Sequence, residues 1–220
     1  MLSFIKFTSI CINFCNSPCI LLVIYNYGNE KLFIMMKLNE IVPFGRSYEE
    51  YKLMFNLTSQ DHNKRILGCG DGPASFNAEM REKQHTVISI DPIYKFSKKE
   101  IKNRFDAVLD NIIEQINMTP NNWVWTYHRN SKNLRNNRIK VMEQFLLDYE
   151  IGKEENRYQE EKLPNLPYKN QEFDLALCSH LLFLYSDILS LDFHLESISK
   201  GSGKKCSFCR KDFSYEVTLV

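Results

Sequence analysis

The strongest constraint in this chain is a short strand that runs straight into a glycine turn, followed by a helix, a second strand and an acid. Lys64-Arg65-Ile66-Leu67 is apolar at its end and leads into Gly68-Cys69-Gly70-Asp71-Gly72-Pro73. Ala74 to Lys83 is rich in helix formers and begins just after Pro73, a residue suited to the first helical position. His85 to Ile90 is a β-branched strand ending in Asp91-Pro92. Two strands joined by a crossover helix pair in parallel, which places the glycine turn and the acid at the same end of a sheet.

That arrangement has a specific chemistry. Gly68 and Gly70 let the backbone approach a ligand closely and take up φ > 0 without a Cβ clash. The turn sits at the positive end of the following helix, with backbone N–H groups facing the ligand. Asp91, 19 residues after Gly72, can accept hydrogen bonds from both hydroxyls of a ribose. The dinucleotide pattern G-x-G-x-x-G/A fails, because its last position is Pro73 counted from Gly68 and Ser75 counted from Gly70. The phosphate-loop pattern also fails, since no Gly-Lys-Ser/Thr follows. What stands here is G-x-G-x-G with an acid about twenty residues on. A glycine turn that binds nothing is the plain alternative.

This pattern resembles the cofactor site of class I S-adenosylmethionine-dependent methyltransferases. A second segment is similar to the same family: Leu166-Pro167-Tyr168 precedes Phe173-Asp174 and the apolar strand Leu175 to Cys178, with Ser179-His180 at its tip. The resemblance covers roughly Leu38 to Ser199. It implies an α/β fold: a Rossmann-like, doubly wound, mostly parallel sheet with a helical insertion after the second strand and with C-terminal strands missing. It implies S-adenosylmethionine as cofactor, held by Gly68, Cys69, Gly70, Asp71, Gly72, Asp91 and Ser179, with Arg46 either pairing with its carboxylate or standing in solvent. The helix after Pro43-Phe44-Gly45-Arg46-Ser47-Tyr48 would cover the cofactor, with Leu53, Met54, Phe55 and Leu57 as its apolar positions.

Between the two motifs, about seventy residues replace a single crossover helix. Helical spacing runs from Lys98 to Gln115 and from Asn133 to Tyr149, the latter through Ile139, Met142, Leu146 and Leu147. We read an insertion at about 95–160 that can build an acceptor pocket. Lys95 to Lys140 holds ten basic and four acidic residues around Trp123-Val124-Trp125. These aromatics either stack on single-stranded bases or fill the insertion's own core.

Methyl transfer from a sulfonium depends on alignment and exclusion of water, and it needs a base only when the acceptor must lose a proton. His180, at the strand tip, is the candidate base; a structural histidine is its alternative, and His128 is a second candidate. The acceptor, a small molecule or a protein, is not specified. The rival function is a non-catalytic remnant that keeps the nucleoside-binding half as an interaction module.

The ends differ from the body. Residues 1–36 form an atypical extension and 200–220 an atypical tail, leaving 37–199 as the methyltransferase-like domain. Cys11, Cys15, Cys19, Cys206 and Cys209 lie in the ends, against only Cys69 and Cys178 in the body. A lone Cys206-Ser207-Phe208-Cys209 is half of a zinc ribbon, so no metal site is expected. A seven-stranded sheet needs three more strands after Ser199, but only 21 residues follow. Truncation, a lost reading frame or a completing partner each account for that. Phe7 to Asn29 carries no charge but is interrupted by Asn13, Asn16, Pro18 and Asn26. A cytoplasmic location is expected, with membrane association through residues 7–29 as the alternative. The near balance of 28 basic and 27 acidic residues argues against a general nucleic-acid binder.

Overall fold

The computed structural model describes residues 41–120, 123–169, 171–182, 184–185 and 188–201, together with the backbone of strands β1 (Thr8–Ile12) and β2 (Ile20–Ile24), which pair antiparallel. Cys15, Cys19, the Cys206–Cys209 pair and the rest of the apolar N-terminal stretch lie outside the described residues. Among the described residues, no helix is long and apolar enough to cross a membrane.

The body follows in the order α1 (Tyr48–Phe55), α2 (Ser59–His62), β3 (Ile66–Cys69), α3 (Phe76–Glu82), β4 (Val87–Ile90), α4 (Lys98–Met118), α5 (Ser131–Glu154), β5 (Tyr158–Gln159), β6 (Leu175–Leu177) and α6 (Leu191–Gly201). Four strands form one all-parallel sheet in the order β5-β4-β3-β6. It is the expected α/β, Rossmann-like arrangement, with β3 central and the α4–α5 pair as the crossover between β4 and β5.

Pleating explains how β3 is buried along its whole length. Ile66 points to one face with Val87, Leu175 and Leu177, and there Tyr51, Phe76 and Met80 of α1 and α3 cover it. Leu67 and Cys69 point to the other face with Ile90, against Leu182, Phe193 and Ile198. The sheet is therefore packed on both sides. A third core joins α4 to α5 through Ile101, Phe105, Ile112 and Ile116 against Leu134, Met142, Phe145 and Tyr149, and meets the sheet at Tyr158.

Several boundaries differ from the sequence reading. The strand Lys64–Leu67 begins instead at Ile66 and continues through Gly68 and Cys69, so Gly68 lies inside the sheet, opposite Ser89 and Leu177. α3 starts at Phe76 behind Ser75, which leaves Pro73 in the turn. α6 opens at Leu191 behind Ser190, whose hydroxyl takes the Phe193 N–H. The buried stripe of α5 passes through Leu134, Arg138, Met142, Phe145, Tyr149 and Gly152, and Leu147 is 77% exposed. The two Trp rings pack on the α4–α5 core, and the Trp123 indole donates to Thr119 Oγ1.

The two phases of α5 give a direct test. Phe145 is fully buried among Tyr94, Tyr149 and Tyr158, so Phe145→Ala should lower the unfolding free energy by about 3–5 kcal/mol. Leu147→Ala should stay within about 0.5 kcal/mol. Urea denaturation of both variants checks this, and equal losses would contradict the helix phase.

Candidate functional site

The carboxyl ends of β3, β4 and β6 converge on the glycine turn. Gly70 and Gly72 have φ of +64° and +56°, a region that L side chains rarely occupy. The Gly70 N–H donates to the Ile90 carbonyl at 2.9 Å, tying the β3 exit to the end of β4. A Cβ at Gly70 would also press on Leu181 at 2.7 Å. At Gly72 a Cβ would meet nothing nearer than Asp91 Oδ2 at 4.0 Å, so open space lies beside the backbone there.

Asp91 stands at the tip of β4 and is held by two backbone donors. The Gly72 N–H donates to Oδ2 at 2.9 Å and the Ile93 N–H to Oδ1 at 2.8 Å. Each oxygen keeps lone-pair capacity. Burial pushes the carboxyl up to about 6, against the lowering effect of those two N–H groups. Tyr94 fixes the same turn from beneath, its hydroxyl donating to the Gly72 carbonyl at 2.7 Å.

Asp71 does something different from what its place in the turn suggests. Its side chain folds back toward the sheet, where a Cβ on Gly68 would lie 1.8 Å from Oδ2. The carboxylate accepts from the Tyr51 hydroxyl at 2.5 Å and the Ser89 hydroxyl at 2.6 Å. Asp71 therefore clamps α1, the turn and β4 together. Gly68 is glycine because this carboxylate needs its space, not because the backbone takes positive φ there. Burial, with Asp91 nearby, pushes Asp71 up to about 7. Cys69 is a buried thiol, in no disulfide, in the core of the sheet's second face.

Above the turn lies a charged cluster. A Cβ on Gly45 would fall 2.2 Å from the Pro73 carbonyl carbon, so the segment 44–46 rests directly on the turn. Ser47 and Glu50 form a capping box that starts α1. Glu50 then receives Arg138 of α5 in a bidentate pair, at 2.6 and 3.0 Å, and Asn137 at 3.0 Å. His128 Nε2 lies 3.4 Å away and Arg46 Nε 3.8 Å. Burial opposes ionisation of Glu50, but Arg138, His128 and Arg46 overcome it and hold the carboxyl well below its usual range. Arg46 also donates to the Phe44 and Gly45 carbonyls, at 3.0 and 3.3 Å. Burial and the charge of Arg138 push it down to about 9.

Ser179 and His180 are half-buried at the β6 tip. The Ser179 hydroxyl hydrogen-bonds the Tyr51 oxygen. His180 Nδ1 is buried with no hydrogen-bond partner. Burial and the charges of Arg46 and Arg138 hold this imidazole well below its ordinary pKa, so it is neutral and weakly basic.

Gly70, Gly72, Asp91, Ser179, His180 and Arg46 are thus gathered around one turn, while Gly68, Cys69 and Asp71 support it from within. Sequence reasoning missed Tyr51, Ser89, Tyr94, Glu50 and Arg138. Only the Ser47-x-x-Glu50 spacing gives a local signal, and it announces a helix start rather than a charge centre. A cleft of about 550 Å³ also lies at the opposite end of the strands, beside His62, His85 and Phe173. Its cations Lys64 and Arg65 are already paired with Asp61 and Asp174.

The clamp makes stability depend on pH. An aspartate raised from 3.8 to about 7 on folding binds more protons folded than unfolded between those values, so stability falls as pH rises through that window. Asp71→Asn keeps an acceptor for one hydroxyl and a donor for the other. Its stability relative to wild type should therefore rise between pH 4 and pH 8, by about 1.4 kcal/mol per unit of displacement at most. Chemical denaturation at both pH values checks it, and a pH-independent difference would show that Asp71 titrates normally.

No family model matches the chain, and no solved structure matches it. The uncharacterized protein MJ0045 of Methanocaldococcus jannaschii is 31% identical over 166 residues, covering 75% of this chain and 74% of that protein. Identity at that level over most of both chains makes this protein a member of the same family as MJ0045.

Proposed function

We propose that the protein is an S-adenosylmethionine-dependent methyltransferase. The observation that carries this reading is Asp91. A carboxylate is held at the carboxyl end of β4 by two backbone N–H groups, one of them from Gly72, a glycine of positive φ. A half-buried carboxylate with spare acceptor capacity, and with no ion pair among the described residues, suits a pair of ribose hydroxyls. Ligands of open α/β sheets bind at the strands' carboxyl ends, where Ser179 and His180 also stand.

The residues present fit the cofactor. Asp91 would hold the ribose, the Gly70–Gly72 backbone would lie along the nucleoside, and Arg46 would face the carboxylate. The cofactor would supply an electrophilic methyl group on a sulfonium. The chain's part is to orient the acceptor and keep water out. His180, neutral at pH 7, can accept a hydrogen bond from an acceptor and take its proton only weakly. Its role is chiefly alignment.

Isothermal titration with S-adenosylmethionine and S-adenosylhomocysteine tests the reading. Both should bind, and Asp91→Ala should weaken them at least tenfold, on the order of 1.4 kcal/mol. Failure of both to bind sinks the proposal, and full affinity in the variant removes the ribose assignment. Labelled-methyl transfer into a lysate then separates an enzyme from a binding module.

A further inference from the structure

Parallel pairing brings two histidines to one place. Ile66 of β3 lies opposite Val87 of β4, so the residues that lead into the two strands meet at the amino-terminal end of the sheet, away from the glycine turn. His62 ends α2, four residues before β3, and His85 stands two residues before β4. Both are half-buried, and both line the cleft of about 550 Å³. Their ring centres are 5.4 Å apart and the rings are tilted by 49° rather than stacked.

Each imidazole stands on a fixed piece of backbone. The Thr58–Asp61 capping box sets the single turn of α2, and Lys64 pairs with Asp61 at 2.6 Å behind it. α3 ends in a Schellman motif: the Gln84 N–H donates to the Arg81 carbonyl and the His85 N–H to the Met80 carbonyl, both at 2.9 Å. Gln84 fills the left-handed position of that motif at φ +63°. The Tyr48 hydroxyl lies 3.2 Å from His62 Nε2, and Tyr48 is fixed in turn by stacking on Phe76. An outer partner on one ring nitrogen is the usual arrangement for an imidazole whose other nitrogen binds a metal. Among the described residues, no hydrogen bond occupies His62 Nδ1 or the His85 ring.

The spacing of the rings matches a shared ion. A metal stands about 2 Å from an imidazole nitrogen, hence about 3.2 Å from the ring centre, and two rings bound at a tetrahedral angle have centres about 5.2 Å apart. Among the described residues, no group of three His, Cys, Asp or Glu side chains is placed to hold a metal. The site therefore has two protein ligands, and the open cleft leaves room for water at the remaining positions. The nearby acids stay with their own cations, Asp61 with Lys64 and Asp174 with Arg65.

We infer that His62 and His85 form a two-histidine site for a divalent d-block cation of the Zn²⁺ and Ni²⁺ type, which imidazole suits. His62 binds through Nδ1 while its Nε2–H donates to the Tyr48 oxygen. The ion clips α2 to the α3–β4 connection, and the site stands whether or not the glycine turn holds a cofactor.

The test titrates the reduced full chain with Ni²⁺ by calorimetry. Wild type should bind one equivalent that His62→Ala and His85→Asn each weaken at least tenfold. Cys206→Ser and Cys209→Ser should leave that equivalent unchanged. The ion binds the folded arrangement of the two rings, so Ni²⁺ should also raise the urea midpoint of wild type more than that of His85→Asn. Equal Ni²⁺ affinity in wild type and both histidine variants overturns the proposal. So does an equivalent that is lost in the cysteine variants but kept in the histidine ones, because the ion then sits on thiols. Displacement of the bound Ni²⁺ by an equal concentration of Mg²⁺, which takes oxygen ligands, also overturns it. If His62→Ala does not fold, His85→Asn decides the matter.

Discussion

Glu50 is the point on which the two halves of the molecule meet. Its carboxylate closes the capping box of α1 and receives the bidentate pair from Arg138, about two turns into α5. Removing one partner of a buried pair strands the other and costs about 3–5 kcal/mol, far more than the intact pair contributes relative to an apolar replacement. The α4–α5 crossover is therefore energetically part of the sheet domain rather than an appendage on it. Through the segment 44–46, which lies on Pro73, the same pair sets the roof over the glycine turn.

The floor of the turn is built with the opposite charge. Asp71 and Asp91 are both raised by burial. Tyr51 connects the layers, donating to Asp71 while accepting from Ser179 and stacking on Phe76 at 4.1 Å.

How much of this could be read beforehand depended on whether the cause was local. The strand–turn–helix–strand unit, the two crossover helices and the β6 strand were legible because glycines, β-branched runs and helical spacing act over a few residues. β5 was not, because two residues, Tyr158 and Gln159, carry no periodicity; they are a strand because the Ser89 N–H reaches the Arg157 carbonyl and the Asp91 N–H the Gln159 carbonyl. Along α5, Ile139, Met142 and Leu146 face the core as their spacing implies, while Leu147 is exposed; the buried stripe also takes in Arg138, and an arginine reads as surface until Glu50, 88 residues away, is known to face it. The turn residues were found, but the inward fold of Asp71 depends on Ser89 and Tyr51, which lie far from it in sequence.

The brevity of β5 has a further consequence. An edge strand offers its free backbone groups to any extended chain, and long exposed edges invite aggregation. Here that edge is only two residues long. Arg157, just before it, is drawn away by Asp148, Glu155 and Asn77, and the Tyr158 ring is buried in the α4–α5 core. A foreign strand would find almost no register to follow, so this side of the sheet is protected from intermolecular pairing by being nearly absent.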